Sequence, residues 1–278
     1  MRANPKIFRG FTLVEMIVVM VITGIIGGIV AIFIKSPIQG YVDSARRAEL
    51  TDIADTALRR LSRDIRTAVP NSVRPSGTGT YIEFIPTRDG GRYRSDTPGN
   101  VLDFGVADGS FDIIGRPINF IGRDLIVVGS TQSSGTPPYD TSAAGVLRTY
   151  LGAAGLQSTV IFSATALPVW AEVQGHRFDV VDATQQAVTY ACLNVNTDAN
   201  GNGTGTLTRY WLYGLTAAQK LPSALGGLNA ILADKVSACE ITYDTFSQRN
   251  GLLAIRLELK SGGESVSLYH TIHVNNVP

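Results

Sequence analysis

Residues 16–34 read MIVVMVITGIIGGIVAIFI, a run with no charge and a single hydroxyl, Thr23. At 1.5 Å per residue, a helix of this length nearly crosses a hydrocarbon core of about 30 Å. A helix buried in a soluble core normally keeps one polar face, and this run has none. A secretory signal has a shorter apolar region, about 7–15 residues, ending at a small-residue cleavage site. Here Lys35, Ser36 and Pro37 follow instead, so a retained membrane anchor is expected. Arg2, Lys6 and Arg9 precede the run and only Lys35 follows closely. The positive-inside rule therefore predicts a single-pass chain with a cytoplasmic N-terminus and everything beyond about residue 35 outside.

Glu15 sits at the edge of this run. A carboxylate at mid-bilayer costs at least about 2.5–3.5 kcal/mol, and less near the interface. Two readings account for it: an interfacial residue facing headgroups, or a residue with a cationic partner.

The stretch Gly10-Phe11-Thr12-Leu13-Val14-Glu15, behind a short basic leader and before a long apolar run, resembles the class III signal of type IV prepilins and type II secretion pseudopilins. The resemblance implies that a membrane-embedded prepilin peptidase cuts between Gly10 and Phe11 and N-methylates Phe11. It also implies that Glu15 of one subunit pairs with the new Phe11 ammonium of a neighbour, setting axial register. In a helix bundle of low dielectric such pairing offsets much of the burial cost. The apolar segment then serves first as a lipid-embedded anchor and later as a filament core. Loss of Arg2, Lys6 and Arg9 would take the formal net charge from +1 to about −2.

Beyond Pro37, apolar residues recur at Leu50, Ile53, Ala54, Ala57, Leu58, Leu61, Ile65 and Ala68, the spacing of one helix face. Asp43–Arg47 and Asp55–Arg59 are acid-before-base pairs at i,i+4, and Pro70 stops the helix. One helix is expected over about 12–68, with Pro37 and Gly40 as the place for a bend. Arg59, Arg60, Arg63 and Arg66 are interleaved with Asp55 and Asp64 and read as a solvated face rather than a lipid or nucleic-acid patch. The expected organisation is thus a leader at 1–10, a transmembrane and filament-core helix at 11–35, an amphipathic continuation at 36–69, and a β-rich periplasmic head at 70–278.

In the head, strand-like runs fall at 81–85, 101–106, 125–128, 159–162, 187–195, 206–213, 236–243, 252–259 and 266–274, separated by turn-forming residues. The last three read as an antiparallel meander. Alternation at Ile255, Leu257 and Leu259 predicts one buried face. The fold class expected is α+β, a long N-terminal helix packed on an antiparallel sheet. Cys192 and Cys239 both fall on predicted strands, as a disulfide or as two buried thiols. LNVNTDANGNGTGT, with Asn194, Asn196, Asp198, Asn200 and Asn202, has the alternating oxygens of a calcium loop. It offers one carboxylate and no downstream bidentate Glu, so a long flexible hairpin loop is expected. Residues 129–145 are expected to form a second loop, disordered or facing another subunit.

No motif for nucleophilic, zinc or phosphate chemistry occurs. His270 and His273 are three apart on an expected strand and so face opposite ways, while His176 is isolated. The reading is therefore no enzyme, no metal and no cofactor, and a net charge of +1 gives no footprint for nucleic acid.

ALRRLSRDIRTAVP resembles the stalk end of J-type pseudopilins. It also resembles large prepilin-like proteins of the mannose-sensitive haemagglutinin (MSHA) pilus, and so do ILADKVSACEITYD, LLAIRLELK and HTIHVNNVP, of the O type. Major pilins commonly break the apolar helix with a proline near the position that Ile32 occupies here, a departure that argues against a shaft subunit. The resemblance implies a low-copy minor pilin that helps initiate assembly in a tip complex. Its partners would be other minor and major pilins, prepilin peptidase and an inner-membrane assembly platform. Alternatives are a tip adhesin, with Tyr139, Trp170 and Trp211 as candidate contacts, and a J-type secretion pseudopilin.

Overall fold

The computed structural model describes residues 10–131, 137–247 and 250–275. The expected leader, apart from Gly10, lies outside the described residues, as do the tip of the 129–145 loop, residues 248–249 and residues 276–278. The chain divides into two compact units, Met1–Ala48 and Glu49–Pro278.

A 54-residue helix, α1 (Leu13–Arg66), carries Pro37 inside it without interruption. It ends two residues earlier than the periodicity suggests. The Thr67 amide turns back to the Asp64 carbonyl, and the Val69 amide donates to Ile85 in the sheet. In the first unit the apolar side chains of α1 are exposed, from Leu13 at 77% to Ile34 at 51%. In the second unit, Leu50, Ala54, Ala57, Leu58, Leu61 and Ile65 are buried, which is the face that the spacing predicted.

Among the described residues, fifteen strands follow. The first eight are β1 (Arg74–Pro75), β2 (Tyr81–Phe84), β3 (Asp89–Tyr93), β4 (Ser110–Ile114), β5 (Ile118–Phe120), β6 (Asp124–Val128), β7 (Leu147–Thr149) and β8 (Gly155–Gln157). The rest are β9 (Thr159–Ile161), β10 (Arg177–Asp182), β11 (Val188–Leu193), β12 (Gly205–Trp211), β13 (Leu228–Ser247), β14 (Asn250–Ser261) and β15 (Glu264–Asn275). The expected α+β architecture is present, but the head holds three sheets. One runs β1-β2-β11-β12-β13-β14-β15, a second β7-β6-β10-β3-β4-β9, and a third is the pair β5-β8. All pairings are antiparallel.

The seven-stranded sheet packs against α1. Leu253, Ile255, Leu257 and Leu259 of β14 join Leu61 and Phe84 in its core, so the alternation read from β14 holds. A second core is aromatic, with Phe111, Phe178 and Tyr93 clustered and Phe120 stacked on Tyr150 at 4.0 Å between ring centroids. A third gathers Val69, Ile85, Val127, Val181 and Tyr139.

Cys192 and Cys239 form a disulfide between β11 and β13, two strands that are not neighbours. The reason is the course of β13. Its register against β12 shifts twice, and Lys235 adopts φ 58°. Beyond that bend the strand passes the β1–β2 turn, where the Ile241 amide donates to the Gly79 carbonyl at 2.7 Å. This brings Cys239 to Cys192, with Cα atoms 6.3 Å apart.

Two expectations are corrected. Residues 101–106 form no strand: Leu102 is buried, but the Asp103 amide is taken by the Asp108 carboxylate. Such local side-chain bonds divert backbone from a ladder. The Asn/Gly segment is an ordered tight hairpin rather than a long flexible loop. Asp198 accepts from the amides of Asn200 and Asn202, and Asn202 in turn accepts from Gly262. The described part of the 129–145 segment is also structured. Tyr139 is buried there, donating to the Ser72 carbonyl at 2.7 Å under the Arg74 guanidinium.

Candidate functional site

The N-terminal motif is built by local forces. Thr12 Oγ1 accepts from the Glu15 amide at 3.3 Å, and the Thr12 carbonyl accepts from Met16. Thr12 is therefore the N-cap of α1, and Thr-x-x-Glu is the sequence of a capping box. That four-residue signal is present in the sequence, where the membrane-length run that follows Glu15 masks it. Glu15 lies in the first turn, where a carboxylate complements the positive end of the helix. It has no ion-pair partner among the described residues, so helix capping explains its position without occupying its charge.

Gly10 and Phe11 are exposed, Phe11 by 81%. A Cβ built on Gly10 meets nothing within 4 Å. Nothing in this fold demands a glycine there. If a small residue is required, the requirement comes from another molecule. Gly24, Gly27 and Gly28 are likewise uncrowded. They cost helix propensity of up to about 1 kcal/mol each against alanine. With Gly24 and Gly28 four apart, they allow a second helix to approach closely.

The last turns of α1 are held to the sheet by polar groups. Asp64 accepts from the Tyr190 hydroxyl at 2.7 Å and from Arg209 at 2.9 Å, and Arg209 also reaches Gln185. A second network surrounds Glu83, which is almost wholly buried. It accepts from Arg74 at 2.8 Å and from the Tyr213 hydroxyl at 3.0 Å. Both satisfy buried charge internally and are structural.

The remaining candidate residues are scattered. His176 bonds to Ser95 and packs on Tyr93. His270 and His273 lie on β15 with different exposure, as opposite faces require. Among the described residues, no three His, Cys, Asp or Glu side chains are grouped to hold a metal. The three aromatic residues considered for an adhesive surface do not converge. Tyr139 is core, Trp170 is 40% exposed on a short 3-10 turn, and Trp211 lies at the margin of the first core beside Arg209.

Residues 6–31 match the family model of the prokaryotic N-terminal methylation motif. No curated protein matches the chain, and no solved structure matches it. The motif, followed by a helix long and apolar enough to cross a membrane, supports a type IV pilin-like protein anchored by its N-terminal helix.

Proposed function

We propose that the chain is a minor pilin that initiates assembly of a type IV pilus, of the mannose-sensitive haemagglutinin kind, from a tip complex. In this reading residues 1–10 are a cytoplasmic leader, prepilin peptidase cuts between Gly10 and Phe11, and Phe11 is N-methylated. Residues 11–35 span the inner membrane, with the head in the periplasm, until extraction onto the assembly platform places the helix among those of other pilins. The role is structural, not catalytic.

The observation that carries this is Glu15. Its position is explained by the helix cap, yet its charge is unmatched within the described chain, and it lies four residues from Phe11. A carboxylate entering a helix bundle needs a cation, and a neighbour's Phe11 ammonium supplies one. The adhesin reading lacks an observation of this kind; a J-type pseudopilin would carry the same Glu15, and the filament count separates it from a pilus subunit.

The test is a filament count in a strain lacking the protein, complemented with variants. Wild type restores filaments. Gly10→Val leaves the leader attached, as N-terminal sequencing shows. Glu15→Leu is processed but does not restore filaments. Normal filament numbers without the protein overturn the assembly role.

A further inference from the structure

The first sheet ends on one side in β1, only two residues long, and the second in β7 and β9, three residues each. The other edge of the first sheet is β15, a 12-residue strand that, among the described residues, pairs with β14 alone. That is about 40 Å of open edge. It carries no Lys, Arg or Pro, the residues that normally blunt an edge.

Its open groups can be assigned. β14 and β15 join through Gly262–Gly263, with φ 57° and 87°, and Ser261 pairs with Glu264. Such a two-residue turn makes Ser261–Glu264 a hydrogen-bonded pair. By alternation, the N–H and C=O groups that point away from β14 belong to Ser265, Ser267, Tyr269, Thr271 and His273. Tyr269 is 68% exposed.

Beside this edge, on the helix side, lies a groove of about 560 Å³ lined by Asp55, Arg59, Ser62, Arg63, Arg66 and His270. Arg59 is paired with Asp55, but Arg63 and Arg66 have no ion pair among the described residues. A second depression of about 180 Å³ shares Arg66 and continues to Arg177 and Asp179 near Asn275. His270 Nε2 is buried, with no hydrogen-bond partner among the described residues. It stands in the row of β15 side chains that includes Ile272 and Val274 of the core. The groove therefore has an excess of positive charge, an unsatisfied ring nitrogen and a backbone ladder open along its rim.

We propose that the β15 edge and this groove are a docking site for an extended acidic segment of a partner protein, added as an eighth strand. Backbone pairing to the outward groups supplies affinity, and alternate carboxylates falling over the groove meet Arg63, Arg66 and His270. The site is independent of the N-terminal motif.

The test uses the full chain in detergent and two fluorescent 12-residue peptides, one alternating valine with glutamate and one valine with lysine. The acidic peptide binds and protects the Tyr269 and Thr271 amides from hydrogen exchange. Arg63→Glu with Arg66→Glu weakens it about tenfold or more, as does raised salt. Thr271→Pro removes only an outward N–H and also weakens it, while β14 amides stay protected. Equal binding of the two peptides, absence of acidic-peptide binding, or unchanged binding after both sets of substitutions overturns the proposal.

Discussion

One oxygen of the Asp64 carboxylate accepts both the Tyr190 hydroxyl, at 2.7 Å, and Arg209 Nε, at 2.9 Å. It thereby ties the last turn and a half of α1 to β11 and β12. Burial raises the Tyr190 hydroxyl's pKa, and the adjacent Asp64 charge raises it further, so the phenol stays a donor throughout the physiological range.

Asp64→Ala leaves the Arg209 guanidinium, only 7% exposed, without its anion. The expected loss is about 3 kcal/mol, the low end for breaking a buried pair. Tyr190→Phe, which removes one hydrogen bond and no charge, is expected to cost about 1 kcal/mol. Urea unfolding of the two variants in detergent checks the order; equal losses would mean that Arg209 finds another partner.

Asp179 gives a pH signature. Burial pushes its carboxyl up to about 6, only partly offset by Arg177. A carboxyl whose folded pKa is raised binds its proton more tightly in the folded state. Stability from this group is therefore full below about pH 4, its unfolded value, and falls as pH rises through about 6. Asp179→Asn is expected to abolish that slope and to raise stability at pH 7 by up to about 3 kcal/mol. Thermal midpoints across pH 4–7 decide it.

The disulfide closes a sequence separation of 47 residues, which corresponds to about 4 kcal/mol of loop-closure entropy in the unfolded chain. Replacing both cysteines by serine should lower the urea midpoint accordingly. Adding reductant to that variant should then change nothing further.

Thr12→Ala deletes the N-cap. A loss of about 1 kcal/mol at the helix start should speed amide exchange at Glu15 and Met16 roughly fivefold, leaving Leu61 and Ile65 untouched. Unchanged exchange at Glu15 would show that the cap contributes nothing.

Legibility in the sequence followed the strength of the local signal. The helix was legible because 19 uncharged residues and then a clean 3.6-residue stripe admit few alternatives. The β13–β15 meander was legible because alternation in β14 is regular. The second sheet was not. β3 reads Asp-Gly-Gly-Arg-Tyr, a turn composition that becomes a strand only because β10 and β4 flank it. β10 itself buries Phe178 and Val180 toward one core and Val181 toward another. Residues 101–106 show the converse, a mostly apolar run whose amides go to scattered partners, Leu102 to the Arg94 carbonyl, Asp103 to the Asp108 carboxylate and Gly105 to the Leu167 carbonyl. In the N-terminal motif, Glu15 was legible as an anomaly. Thr12 was overlooked because a capping box draws little notice beside a membrane-length run.

The bridge between β11 and β13 also acts as a clamp. In the folded head it spans β12, so one covalent link holds β11 and the part of β13 beyond the bend at Lys235 on either side of the strand between them. With two cysteines in the chain there is one intramolecular pairing and nothing to shuffle. With both sulfurs held in that pair, a covalent dimer of heads can form only between chains whose own bridge is open.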